Sequence, residues 1–534
     1  MTRNEKNKNT PLTAGQREIA WMADAYPIPL TESQEMNWNT YIESGNASDE
    51  KLFRDWISQV PGSLSPSHLV VAAIQCMRNR GYDVREAEKY IDEGLRAAKE
   101  KDGVALQRIT ARIYHLLNTA PKDKTSDYWK YHIYTNWEEI RANSTFLEMG
   151  DQEDSISVKE GQEASIVSER SRETGMDVSW PSGRAAVDVF SDDYADRIRA
   201  GWTAQLIGGA LGTQVEGYNT DNIEKVYGTI TSYLRPPETY NDDITYEIAF
   251  LDSFREHGYA VTSEQIAEKW LELIADGYSA EEVALRNLRL GIHPPESGTH
   301  LNYYSDWIGV QMRTMIHGMT APGNPALAAE LAVRDGVISH SNSGLLGGIF
   351  NAILVSMAFV LQDVRELVVR AVDCIPYDSE FYQVLIFALR QCREKDNWRE
   401  AWRQCEKKYE DYNWIHVYPN AAAEIIALWY GNGDFDRTAT IICMEGKDAD
   451  CTAAPVLNIL GVMYGTKILT PKWTEPLGKT VHTIMRKYRK ISLQTLCQET
   501  VESVRRARKH LLFPQTKHLL FPQTSPCNAL CHLL

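Results

Sequence analysis

GKDADCTAAPVLNILGVMYG, residues 446–465, decides how this chain is read. Asp448 and Asp450 stand one residue apart behind Gly446, and Cys451 follows at once. Beyond them an apolar run closes on Gly465. The run predicts a helix with Pro455 in its first turn, where a missing N–H costs nothing. Val456, Leu460 and Met463 would face inward, and Gly461 would allow close approach. If the segment before the helix is extended, alternation points Asp448 and Asp450 the same way. Two carboxylates at the mouth of a buried helix suit a hard divalent cation. Read alone, such a pair is more often a solvated turn or a cap.

A second acidic group lies upstream in PPETYNDDITYEIAFLDSF, residues 236–254. Asn241 can cap the helix that follows, with Asp242 and Asp243 in its first turn. That placement alone needs no metal, because acids there favour the helix dipole. Two such groups at two helix starts make a shared cation site credible. A third stretch, GWTAQLIGGALGTQVEGYN (201–219), runs from a glycine-rich helix end into a loop carrying Glu216. Glu216 is a candidate general acid or base, or a surface acid.

The rest of the chain sets the frame for these groups. Its 534 residues exceed one ordinary core, so about two or three units are expected. The net charge of −16 opposes a nucleic-acid-coating surface, which needs clustered Lys and Arg. Nine scattered cysteines show no zinc-type pairing and fit reduced thiols of a cytoplasmic protein. GLLGGIFNAILVSMAFVL (344–361) approaches the length of a membrane span. It holds Asn351 and Ser356 and opens on glycines, so a helix buried all round explains it better, and no membrane is expected.

Helical periodicity dominates, and alternating strand patterns are scarce. In SPSHLVVAAIQCMRNRG (65–81), Ser65 is a candidate cap and Gly81 a stop. DVREAEKYIDEGLRAAKEKDG (83–103) reads as one amphipathic helix capped by Asp83. Residues 1–143 thus form an N-terminal helical domain. Residues 144–183 are acidic and polar and read as a linker. Residues 184–508 form a second, mostly α unit. In the tail, 509–534, the octapeptide KHLLFPQT occurs twice in succession. That tail is expected to be disordered and is set aside.

GGALGTQVEG, then NDD at a helix start, then GKDADC opening a helix, resembles the ADP-ribosylglycohydrolase family. SDWIGVQMRTMIHGMTAPGNP (305–325), ISHSNSGLLGGIFNAI (338–353) and GNGDFDRTATIICMEGKDADC (431–451) fit as well. The late motif is similar to a bacterial branch with cysteine after the second aspartate. The resemblance spans about Tyr194 to Arg508. It implies an all-α, orthogonal multi-helix bundle holding two Mg²⁺ ions, with Mn²⁺ as a substitute. It assigns the metal to Asn241, Asp242, Asp243, Asp448, Asp450 and Cys451. It assigns chemistry to Glu216, Asp243 and Asp448, and substrate to Gly212, His340, Ser341, Asn342 and Gly344. The implied reaction hydrolyses the bond at the anomeric carbon of an ADP-ribosylated protein or a smaller ADP-ribosyl or ribosyl compound. The alternatives are a member that binds such ligands without turnover, and a helical scaffold. Asn241 stands where the family has threonine, Cys451 where it has threonine or serine, and Gly209 where many members have aspartate. Lys447 adds a positive charge beside the late motif.

Overall fold

The computed structural model describes residues 14–24, 38–145, 187–240 and 242–512. Residues 146–186, Asn241 and residues 513–534 lie outside the described residues, while the first four residues of the duplicated tail, 509–512, continue the helix Leu493–Leu512. The chain divides into two compact units, and the boundary falls at Arg54 rather than near residue 143. The first, Met1–Arg54, carries the helix Ala14–Asp24 and most of the helix Trp38–Trp56. In the second, residues 55–145 pack with the helices of 187–512.

The second unit is an all-α bundle. Among the described residues its only sheets are two short antiparallel pairs, Ser58–Gln59 with Pro66–Ser67 and Thr480–His482 with Lys490–Ser492. The first pair displaces the expected cap. Ser65 and Pro66 belong to this turn, and the helix starts later, at Leu69–Asn79. The helix expected from Asp83 is broken in two, Arg85–Glu88 and Ile91–Glu100. Asp83 is taken up by Arg85, whose Nε lies 2.8 Å from Oδ1. Left-handed Lys101 (φ 56°) stops the second piece. Other boundaries fall as expected. Asn324 caps the helix Pro325–Gly336 through the Leu327 N–H. Asn432 and Gly433, both at positive φ, separate Val417–Gly431 from Phe435–Glu445.

The apolar run at 344–361 forms the helix Asn342–Ala358, buried at every residue. Among the described residues no helix is long and apolar enough to cross a membrane. Its neighbours, Met315–Thr320 and Pro325–Gly336, cover it in a continuous core.

The most extensive helix pair joins the start of the family-like segment to a helix late in it. Asp192–Gly212 lies along Ala449–Tyr464, and both are nearly fully buried. Small residues make this approach achievable. A Cβ on Gly208 would sit 2.3 Å from the Ala453 carbonyl, and one on Gly212 would sit 2.2 Å from that of Ala449. From the other side, a Cβ on Gly461 would meet the Ala200 carbonyl at 2.5 Å. The glycines of GGALG thus bring backbone against backbone and set the height of the second helix start. That start carries Asp448, Asp450 and Cys451.

Candidate metal centre

The late helix begins at Ala449, with Asp448 as its N-cap residue and Asp450 in its first turn. Pro455 is therefore inside the helix, not at its start. It withholds the N–H that would have bonded the Cys451 carbonyl. The two aspartates converge through a cap and a first turn, not through strand alternation. Gly446 (φ 69°) makes the turn before them; a Cβ there would lie 2.1 Å from the Tyr218 carbonyl.

Opposite stands the helix Asp242–His257, with Asp242 and Asp243 in its first turn as expected. Ligand atoms of Asp242, Asp243 and Cys451 lie within 4.8 Å of one another, and so do those of Asp448, Asp450 and Cys451. Cys451 is thus common to both acid pairs. Its Sγ donates to Asp243 Oδ1 at 3.3 Å. Burial and the surrounding carboxylates push the thiol's pKa well up, so it stays protonated. The Oδ1 atoms of Asp448 and Asp450 are buried and accept no hydrogen bond among the described residues. Uncompensated buried carboxylate oxygens are costly, and a hard cation is one partner that would satisfy them.

Glu216 faces the same place. The backbone sews its loop to the late turn: the Gly217 N–H donates to the Lys447 carbonyl at 2.7 Å, and the Lys447 N–H to the Tyr218 carbonyl at 2.9 Å. A second clamp comes from the turn at 60–67. Tyr218 Oη donates to the Ser63 carbonyl at 2.9 Å, and a Cβ on Gly217 would lie 2.1 Å from Ser65 Oγ. Burial pushes the Glu216 pKa well up, and Asp450, Asp448, Asp242 and Asp243 push it further. The same two causes raise Asp243 and Asp448, and Asp450 reaches about 6.

Glu216, Asp242, Asp448 and Cys451 line one cleft of about 370 Å³. Tyr278, Glu281 and Trp414 line it too, and no motif in the sequence singles them out. Glu281 is held by the fully buried Arg313, whose Nη1 lies 2.8 Å away and whose Nε binds Asp335 at 2.7 Å. Asn420, equally silent in sequence, accepts from the Asp448 N–H at 3.2 Å and donates to the Trp414 carbonyl at 2.7 Å. Lys447 brings no charge to the centre, because its ammonium pairs with Glu406 at 3.3 Å. Gly209, where many members carry aspartate, lines a separate small recess beside Asp243.

The five residues expected to touch substrate take up packing positions and hydrogen bonds in the bundle. Gly212 is a helix-packing position against Ala449 and Asp450. His340 is buried behind Gly309, with Nδ1 at 2.7 Å from Ser339 Oγ. Ser341 donates its N–H to the Ser305 carbonyl. Asn342, at φ 46°, exchanges bonds with Tyr134 through its N–H (2.8 Å) and its Oδ1 (3.2 Å). Gly344 lies against the Ser305 and Trp307 carbonyls. None of these five lines the described cleft.

Comparison with known proteins meets this geometry from outside. The family profile described as ADP-ribosylglycohydrolase matches residues 191–508. An uncharacterized protein of Archaeoglobus fulgidus is 25% identical over 289 residues, covering 51% of this chain and 88% of that protein. A solved structure titled ADP-ribosylglycohydrolase-related protein complex is 19% identical, with a TM-score of 0.40, covering 59% of this chain and 100% of the other.

Proposed function

The chain belongs to the ADP-ribosylglycohydrolase family, and from that premise we propose that it is a Mg²⁺-dependent glycohydrolase acting at the ribose anomeric carbon. The substrate is an ADP-ribosylated protein or a smaller ADP-ribosyl or ribosyl compound. The observation that carries the reading is the convergence of Asp242, Asp243, Asp448 and Asp450 from two helix starts on a cleft that Glu216 also lines.

The donor set fits magnesium, or manganese in its place. Four carboxylates are hard oxygen ligands, and two of their buried oxygens lack any other partner. Asp242, Asp243, Asp448 and Asp450 would hold the ions, which supply charge stabilisation for hydroxyl or water oxygens when bound. A protonated thiol is a poor magnesium ligand, so Cys451 serves as an S–H donor that orients Asp243. Asn241 precedes the first pair in sequence and remains its expected companion ligand.

This chain's own residues do the rest. Glu216 exchanges the proton of the departing group or of the attacking water, and its raised pKa suits a carboxyl that works near neutral pH. Asn420 holds the late turn at its Asp448 N–H. Arg313 keeps Glu281 in place at the opposite wall.

A binding protein without turnover is the second reading, favoured by the thiol at position 451 and the missing side chain at position 209. One experiment separates the two. Purified protein is incubated with ADP-ribosyl-arginine, ADP-ribosyl-serine, O-acetyl-ADP-ribose and nucleosides, with and without Mg²⁺, and freed products are quantified. Mg²⁺-dependent release from any of them, lost in Glu216→Gln, is expected. Tight binding with no release throughout would leave only the binding reading.

A further inference from the structure

The charge of the cleft bears on which riboside it accepts. Four of its lining side chains are carboxylic acids, namely Glu216, Asp242, Glu281 and Asp448, and none of the described lining residues is basic. Two divalent cations would match the four aspartates of the centre charge for charge. Glu216 adds a further carboxyl group, held toward its protonated form by burial, and brings no positive charge. Glu281 is paired with Arg313, which Asp335 shares, and His340 Nε2 lies 3.9 Å from the same oxygen.

A diphosphate next to the reacting ribose would need a receiving site nearby. The start of the helix Asn342–Ala358 is the natural one, since its free N–H groups and dipole favour anions. In this chain it is filled from within. The Asn342 N–H is taken by the Tyr134 carbonyl. Burial raises the pKa of the Asp306 carboxyl, and Arg80, with Nε at 3.4 Å, and then the Gly344 and Ser343 N–H groups oppose that rise, so these two N–H groups already have an acidic partner. The loop from Ser305 to Gly309 then stands between this helix start and the cleft. A Cβ on Gly344 would lie 2.3 Å from the Ser305 carbonyl, while Ile308 and Gly309 line the cleft from the loop's other side.

What the cleft does offer is flat and apolar. Trp414 and Tyr278 both line it. Aromatic faces stack on bases and attract cations.

Resting on the glycohydrolase reading, we propose that this cleft selects a riboside with a flat, neutral or cationic aglycone and no phosphate next to the reacting ribose. The cleft thus takes the nucleoside-like end of the range that the family activity spans.

Calorimetric titration of the full-length protein in Mg²⁺ tests this with four probes: adenosine, nicotinamide riboside, AMP and ADP-ribose. Both unphosphorylated ribosides are expected to bind about tenfold or more tightly than AMP and ADP-ribose. The gap should narrow as salt rises from 20 to roughly 500 mM, because the repulsion is screened. ADP-ribose binding as tightly as adenosine or tighter would overturn the inference and leave the glycohydrolase reading intact. Binding of none of the four by a protein that still binds Mg²⁺ would overturn it as well. Failure to bind Mg²⁺ would remove the glycohydrolase reading and this inference together.

Discussion

Gly212→Ala separates a packing role from a substrate role at one atom. The new Cβ would stand 2.2 Å from the Ala449 carbonyl oxygen and 2.3 Å from the Asp450 nitrogen. Ordinary contact begins near 3.4 Å, so the two helices must part by roughly 1.2 Å at this level. Both contacting elements are backbone, and Gly212, Ala449 and Asp450 are all buried, so no side chain can swing aside. Overpacking of this kind typically costs about 1–3 kcal/mol, and a backbone clash belongs at the upper end. The same displacement moves Asp450 away from Asp242 and Asp243, so metal affinity should fall with stability. Urea unfolding by tryptophan fluorescence, with and without Mg²⁺, reads both. The expected result is a loss of about 3 kcal/mol in EDTA and a reduced Mg²⁺ gain. A variant with wild-type stability and a wild-type Mg²⁺ response, impaired only in substrate binding, would refute the packing account.

Three further outcomes follow from the same geometry. Asp450 is held up at about 6 by burial and its neighbours, and Glu247 and Glu424 at about 8 by burial. A carboxyl raised in the fold contributes stability below its ordinary pKa and loses it as pH climbs through the folded value. Melting in EDTA should therefore drop from pH 5 to 8, while the Mg²⁺ gain grows; a Mg²⁺ gain that is flat across this range counts against the centre. Cys451→Ser, which swaps an S–H for an O–H donor, should preserve or raise Mg²⁺ affinity by titration, and complete loss would give the thiol a ligand role. Glu216→Gln should lower turnover by about 10²–10⁴-fold while leaving the Mg²⁺-induced melting shift unchanged, and loss of that shift would make Glu216 a ligand instead.

Much of the bundle was legible because its helices carry their own punctuation. Asn324 before Pro325 and the Asn432–Gly433 break behave as local chemistry dictates. Local signals failed where a distant partner decided. Ser65 looks like a cap but lies in a turn that pairs with Ser58–Gln59 and abuts Gly217. Pro455 looks like a helix start, yet the helix begins six residues earlier because the Gly208 and Gly212 contacts fix where the chain must turn. Acid pairs at helix starts are visible in one dimension, so the aspartates could be read. Trp414, Tyr278, Glu281 and Asn420 reach the site by tertiary packing, and nothing in their neighbouring residues marks them. Conversely, His340, Asn342 and Gly344 sit in a stretch that resembles the family yet face Ser339, Tyr134 and Ser305.

The central claim is that two helix starts, 206 residues apart from Asp242 to Asp448, build one metal centre. Anomalous diffraction from Mn²⁺-soaked crystals addresses it directly. The account predicts Mn²⁺ peaks bounded by Asp242 and Asp243 on one side and Asp448 and Asp450 on the other. Peaks elsewhere, or an empty cleft at saturating Mn²⁺, would contradict it.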